Sequence, residues 1–463
     1  MIQQPETICA IATATGGAIG IVRVSGPQAI STVEKIFTPK GANAQPLHEQ
    51  NAYTIAYGNI HDRQDRVVDE VLVSLFRAPH SYTGEDSVEI SCHGSRYILS
   101  QVLQLLIDNG CRQAEPGEYT RRAYLNGKMD LSQAEAVADL IASTNQATHR
   151  MAMSQLRGHF SSELARLREQ LLKLTSLLEL ELDFSDHEEL EFADRTELQT
   201  LANQIDHRIT TLSHSFEAGN ALKHGIPVAI VGKTNVGKST LLNRLVGDER
   251  AIVSDIHGTT RDVIEDCVEI QGIIFRFIDT AGLRHTDDIV ETIGIERTYQ
   301  KLHEAAIVLW VVDQEPTQEE TEEMQQKAKG KKLIVVRNKA DLSNASEFSE
   351  PSEFSEFSEA TIAISAKTGL GFATLEHALV HAADLPTLTE NDVIVTSARH
   401  YEALSRAHTN LQRVLDGMAL NLSGDLLAED LRLVLHDLAE ITGGEIVTNE
   451  VLGNIFKHFC VGK

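Results

Sequence analysis

The sequence predicts a multidomain α/β protein in which a doubly wound α/β domain is inserted into a helical one, behind a separate mixed N-terminal domain. Three observations carry this. The 463 residues match roughly two to four domains at ~100–200 residues each. Between residues 226 and about 385, short apolar runs alternate with helical stretches, the pattern of a parallel sheet covered on both faces. Helical apolar stripes flank that stretch on both sides, and exposed loops tolerate an inserted domain.

Composition removes several classes. Hydrophobic residues at 42 % and charged residues at 23 % are near globular averages, so wholesale disorder is excluded. No run approaches the ~18 apolar residues of a membrane-spanning helix, and MIQQPETICA lacks a secretory leader. With 67 acidic and 41 basic residues the net charge is −26, which disfavours a nucleic-acid coat protein. Five cysteines (Cys9, Cys92, Cys111, Cys267, Cys460) form no CxxC pair and suit free thiols in a reducing cytoplasm.

The elements follow in order. Residues 19–24, 51–60 and 67–76 alternate or are β-branched, as strands are. Residues 97–108 have helical spacing. Leu164, Leu167, Leu171, Leu174 and Leu178 form a 3-4-3-4 stripe, read as a helical core rather than an intermolecular coiled coil. Residues 226–231, 275–278, 305–312, 332–336 and 361–364 read as buried strands. Later stripes are Leu404, Ala407, Leu411, Val414, Met418 and Leu427, Leu431, Val434, Leu438, Ile441. The SEF-repeated stretch 343–360 reads as a mobile surface loop, with a partner-docking motif as the alternative.

The strongest chemical signal is GKTNVGKS, residues 232–239, between a strand and a helix. Its glycines let backbone N–H groups face a phosphate. Asn235, Val236, Gly237, Lys238, Ser239 and Thr240 line that loop; Lys238 offers charge to terminal phosphates and Ser239 a hydroxyl to Mg²⁺. Asp279, Thr280, Ala281 and Gly282 end the next parallel strand. Asn338, Lys339 and Asp341 end another, where a carboxylate can accept from guanine's two N–H donors and so select GTP. Ser365, Ala366 and Lys367 follow, with backbone available to the guanine oxygen. Ser254, Asp255, Ile256, His257, Gly258, Thr259 and Thr260 form a candidate loop sensing the terminal phosphate, Thr260 or its neighbour completing the Mg²⁺ shell.

Leu283 stands where many small GTPases carry a water-positioning Gln. Two substitutes are open: Asn235 holding a monovalent cation, and Glu291 orienting water, against a plain solvated acid. Cys460, in the terminal CVGK, is either a nucleophile or a small buried hydrophobe.

Taken with IVRVSG, SYTGED, EPGEYTRRAYLNGKMDLSQAEA, GKTNVGKS, DIHGTTRD and CVGK, the whole chain resembles the MnmE (TrmE) family of bacterial tRNA-modification GTPases. The resemblance implies an N-terminal α/β folate-binding and dimerisation domain (1–128), a discontinuous all-α domain (129–222 and 387–463) and an inserted Ras-like P-loop GTPase domain (223–386). It implies a cytoplasmic, potassium-activated GTPase with no membrane partner, a homodimer that joins the FAD-dependent partner MnmG (GidA) in a heterotetramer. That pair adds a carboxymethylaminomethyl or aminomethyl group to carbon 5 of the wobble uridine of certain tRNAs. Arg23, Glu85, Lys128 and Lys463 match positions that hold 5-formyltetrahydrofolate. Asn235, Ser254, Ile256 and Thr259 match K⁺ ligands, Ser239 and Thr260 Mg²⁺ ligands, Glu291 the catalytic glutamate, and Cys460 the cysteine implicated in modification. Ser254 departs from the family's common Thr. Direct tRNA contact is expected to be weak and local, near Arg121, Arg122 and Lys128. The alternative is a ribosome-assembly GTPase switch without modification chemistry.

Overall fold

The computed structural model describes residues 6–41, 44–183, 195–250, 266–278, 304–342, 361–384, 393–444, 452, 455–457, 459 and 461–462. Its strands are β1 (Ile8–Ile11), β2 (Ile19–Ser25), β3 (Phe37–Pro39), β4 (Thr54–His61), β5 (Val67–Phe76), β6 (Ser87–His93), β7 (Arg112–Gln113), β8 (Ile226–Val231), β9 (Asp266–Ile270), β10 (Ile273–Phe277), β11 (Ile307–Val312), β12 (Lys332–Arg337) and β13 (Ile362–Ala363). The helices are α1 (Ala29–Glu34), α2 (Arg96–Asp108), α3 (Glu118–Leu125), α4 (Leu131–Ala142), α5 (Gln146–Leu156), α6 (His159–Asp183), α7 (Arg195–His224), α8 (Lys238–Arg250), α9 (Gln318–Lys327), α10 (Phe372–Ala382), α11 (Ala398–Ala419) and α12 (Gly424–Thr442). They divide into two units, one of Met1–Ala142, Ala152–Asp206 and Arg406–Lys463, the other of Ser143–Met151 and His207–Ser405.

The first unit is built on a seven-stranded sheet in the order β3-β4-β5-β6-β2-β1-β7. Val71, Val73 and Leu75 of β5 point inward while Glu70 and Leu72 point out, as period two requires. The inward face packs Val22, Val24, Val88 and Ile90 against Leu99, Val102 and Leu106 of α2. The leucine stripe of α6 is buried at every position, Leu164 through Leu178, and α6 packs along α12, whose Leu427, Leu431, Val434, Leu438 and Ile441 are also buried. That is the helical-core reading, and each such side chain contributes roughly 1.5–3 kcal/mol. Met418, one residue before the end of α11, is half-buried.

The second unit holds a six-stranded sheet in the order β13-β12-β11-β8-β10-β9. All neighbours are parallel except β9, which is an antiparallel edge. Alternate residues of β8 and β11 serve two cores. Val228, Ile230 and Leu309 pack with Leu241 and Leu245 of α8 and Leu375 of α10. Ala229, Val231, Val308 and Trp310 pack on the other face with Ala328 and Met324. Two buried faces explain the unbroken apolar runs. In such a sheet, ligands bind beyond the carboxyl ends of the strands. The loops after β8, β12 and β13 leave from that edge. The stretch 343–360 lies outside the described residues.

Candidate functional site

Beyond the end of β8, the chain turns through Gly237 at φ +96°. A Cβ there would lie 2.2 Å from Asn338 Nδ2, so only glycine fits. Asn235, at the loop's tip, is in the left-handed region at φ +61°. Lys238 opens α8 and donates from Nζ to the carbonyls of Gly232 (2.7 Å) and Lys233 (2.6 Å), which holds its charge over the loop. Val236 is buried, Ser239 half-buried and Thr240 exposed.

Asn338 is buried and ties three loops together. Its backbone N–H donates to Val312 O (2.8 Å). Its Nδ2 donates to Val236 O (2.8 Å), and its Oδ1 accepts from Ala366 N (2.9 Å). The phosphate loop and the Ser365–Lys367 loop are therefore braced by one amide. Motif reading placed Asn338 at the site but gave no sign of this role, which depends on contacts across about a hundred residues. The Ala366 N–H, one backbone donor expected near guanine, is here given to that amide.

Asp341 accepts from Ser365 Oγ at 2.7 Å, and Ser365 Oγ accepts from Thr368 N at 3.1 Å. The hydroxyl holds the exposed Asp341 carboxyl below the usual carboxylate range. Lys339, at φ +66°, reaches Asp313 at 3.4 Å. Lys367 is exposed, and its carbonyl accepts from Arg244, a residue the motifs do not include.

A second charged cluster lies in the first unit. Arg23 sits opposite Glu89 in the β2–β6 register, so the two pair at 2.8 Å. The guanidinium lies 5.7 Å from the Tyr82 ring and 5.6 Å from the Tyr119 ring. It also donates to Gly462 O at 3.3 Å. Val461 bridges to Pro116, and Phe456 packs with Leu131 and Ala134. The chain end is thereby brought to Arg23.

Glu85 accepts from Ser25 Oγ (2.8 Å) and from Arg122 Nη1 (3.1 and 3.2 Å). Lys128 lies against Gly84 and donates to Pro79 O at 3.0 Å. Arg23, Glu85 and Lys128 thus converge on the loop between β5 and β6. A guanidinium within about 6 Å of two aromatic rings, an accepting carboxylate and a donating ammonium suit a ligand with an aromatic ring, N–H groups and carboxylates.

One expectation is corrected. Arg122 does not form a tRNA-facing patch with Arg121 and Lys128, because it is buried. It donates to Glu118 (3.0 Å), to Glu6 O (2.8 Å) and to Glu85. Arg121 is paired with Glu115 at 3.2 Å. Burial pushes the Glu118 carboxyl up, but Arg112, the Glu115 N–H and Arg122 outweigh it and hold it below its ordinary value.

Ser254, Asp255, Ile256, His257, Gly258, Thr259, Thr260, Asp279, Thr280, Ala281, Gly282, Leu283, Glu291, Cys460 and Lys463 lie outside the described residues.

Comparison with known proteins adds the following. Residues 7–128 match a family model described as the GTP-binding protein TrmE N-terminus, and residues 131–460 match the MnmE helical domain. A tRNA modification GTPase MnmE from Bacteroides thetaiotaomicron is 58 % identical over 99 % of each chain. One from Phocaeicola vulgatus is 56 % identical over 100 % of each. A solved structure of Era in complex with MgGDPNP and nucleotides of 16S ribosomal RNA is 26 % identical over 40 % of this chain and 66 % of that one, with a TM-score of 0.24, too low to bear on the fold.

Proposed function

The chain belongs to the MnmE (TrmE) family, and from that premise we propose that it is a GTP hydrolase acting in tRNA modification. The observation that carries the nucleotide reading is the Asn338 amide joining Val236 O to Ala366 N. It ties the phosphate loop to the loop expected to read the base, beside the Asp341 carboxylate.

Several roles follow from residue chemistry. Lys238 attracts the terminal phosphates, and Asp341 accepts from the guanine N–H groups, a donor pair that adenine lacks. Asn235 and Ser239 supply oxygen donors of the kind hard cations take. With Ser254, Ile256, Thr259 and Thr260 they would hold K⁺ and Mg²⁺, which when bound bring positive charge to the phosphates. Glu291 orients water in place of the Gln that Leu283 lacks.

The finer proposal places 5-formyltetrahydrofolate at Arg23, Glu85, Lys128 and Lys463. It also includes a homodimer working with the FAD-dependent MnmG, tRNA as substrate, and carbon 5 of the wobble uridine as the site of a carboxymethylaminomethyl or aminomethyl group. Cys460 is a candidate participant. The domain division proposed is 1–128, 129–222 with 387–463, and 223–386. No described helix is long and apolar enough to cross a membrane, and a cytoplasmic location is proposed with the tRNA substrate.

Mass spectrometry of wobble uridines in tRNA from cells lacking the protein tests the reading. Loss of the carbon-5 group is expected; intact modification overturns it in favour of a GTPase without modification chemistry. GTP hydrolysis in potassium and in sodium at equal ionic strength tests the cation role, and equal rates remove it.

A further inference from the structure

α8 begins at the phosphate loop with Lys238, and its Leu241, Leu242 and Leu245 are buried in the sheet's core. Arg244 faces away from that core and is exposed. Its guanidinium donates to the carbonyls of Lys367 (2.9 Å) and Thr368 (3.0 Å), and it lies 5.6 Å from the Phe372 ring centroid. The next residue, Gly369, has φ +91°, and a Cβ there would be 2.3 Å from Arg244 Nη2. Glycine therefore permits both the turn and the close approach of the guanidinium.

The clamped carbonyls belong to the same turn that carries Ser365 and Ala366. Gly369 N donates back to Ser365 O at 2.8 Å, and Ser365 N donates to Leu370 O at 3.0 Å. Asn338 holds this turn from the phosphate-loop side through Ala366 N. Arg244 holds its opposite end, where two carbonyls point outward. Ser365 and Ala366 are buried while Lys367 and Thr368 are exposed; held at the buried end only, the exposed half would be free to swing, so the second tether decides how well the base-reading backbone is pre-shaped.

We propose that Arg244 is a positioning residue for guanine recognition: with the Ser365 and Ala366 N–H groups already engaged, fixing the Lys367 and Thr368 carbonyls turns the Lys367 N–H toward the purine oxygen, and so slows nucleotide release. The proposal rests on the reading of this unit as a GTP site. Asp341 reads the other edge of the base from the loop after β12 and meets the clamped turn only indirectly, through the Ser365 hydroxyl that also accepts from Thr368 N. The clamp therefore acts more on the oxygen edge than on the amino edge.

The test is stopped-flow release of fluorescently labelled GDP from the full-length wild type, Arg244→Ala and Arg244→Lys. Two charge-assisted hydrogen bonds are lost in the first variant, and release about tenfold faster is expected, with an unchanged association rate. Arg244→Lys, which keeps one donor, falls between. Base analogues separate positioning from general loosening. Preference for GDP over 6-thio-GDP, which probes the purine oxygen, shrinks in Arg244→Ala. Preference over IDP, which lacks the amine read by Asp341, shrinks less, because Asp341 meets the turn only through the Ser365 hydroxyl. Release at the wild-type rate overturns the proposal, as does an equal shrinkage of both preferences. A wild-type chain that retains no labelled GDP overturns the nucleotide reading itself.

Discussion

The two units hold their polar site residues in opposite ways. Beyond the six-stranded sheet, recognition is organised by backbone: a glycine at φ +96°, carbonyls capped by Lys238 and loops joined through one buried asparagine. Beside the seven-stranded sheet it is organised by side chains. Charges alternate from Arg112 to Glu118 to Arg122 to Glu85, and Arg23 is matched to Glu89. The first arrangement is local, since strand, turn and helix come from one stretch of chain and preset N–H groups for a phosphate. The second is long-range and depends on burying charges only where partners meet them.

The largest effect separating the two belongs to Arg122→Ala. Both Glu85 and the buried Glu118 lose a partner, and breaking a buried pair costs about 3–5 kcal/mol. Urea denaturation followed through the first unit measures this. A loss near that of a surface ion pair would show that the network is not what holds the cluster.

Next comes Gly237→Ala in the other unit. The added Cβ meets Asn338 Nδ2 in a backbone region that L residues rarely adopt. GTP affinity should fall roughly 10- to 100-fold, with the strain itself of order 1–3 kcal/mol. Equilibrium binding of labelled GTP checks it, and wild-type affinity would show that the close packing of Gly237 on Asn338 is not needed for binding.

A smaller effect is in pH. The Ser365 hydroxyl lowers the Asp341 pKa, so the charged form persists to more acid solution than for a free carboxylate. Affinity for GTP that depends on this charge is present above the lowered pKa and is lost as pH falls through it. Ser365→Ala should move that loss to higher pH in a binding titration. Glu320→Gln, which breaks an exposed pair with Lys233, should leave the thermal midpoint unchanged, as is usual for surface pairs.

Much of the fold was legible because its patterns are local. The run Val67–Phe76 is a strand over those same residues, since alternation along a half-buried strand is written residue by residue. The α6 stripe reads out as five buried leucines for the same reason. The nucleotide loops were legible as motifs, but the role of Asn338 as a brace was not, and Arg244 was missed, because its partners lie more than a hundred residues away. In the sequence Arg122 stands beside Arg121 and near Lys128 as part of an expected tRNA-contact patch, and nothing local announces its burial between Glu85 and Glu118.

By itself, then, the sequence determined the elements, the phosphate loop and the acidic balance of −26, because each depends on residue types at short spacing or on a sum. Only the tertiary structure decided which charges face solvent and which neutralise one another, and which loops share a brace. Those outcomes turn on distances between residues such as Arg23 and Gly462, which are far apart in the chain and 3.3 Å apart in space. The overall negative charge says little about either cluster, since interactions between exposed charges fade over about 10 Å of salt solution while the buried pairs act at contact.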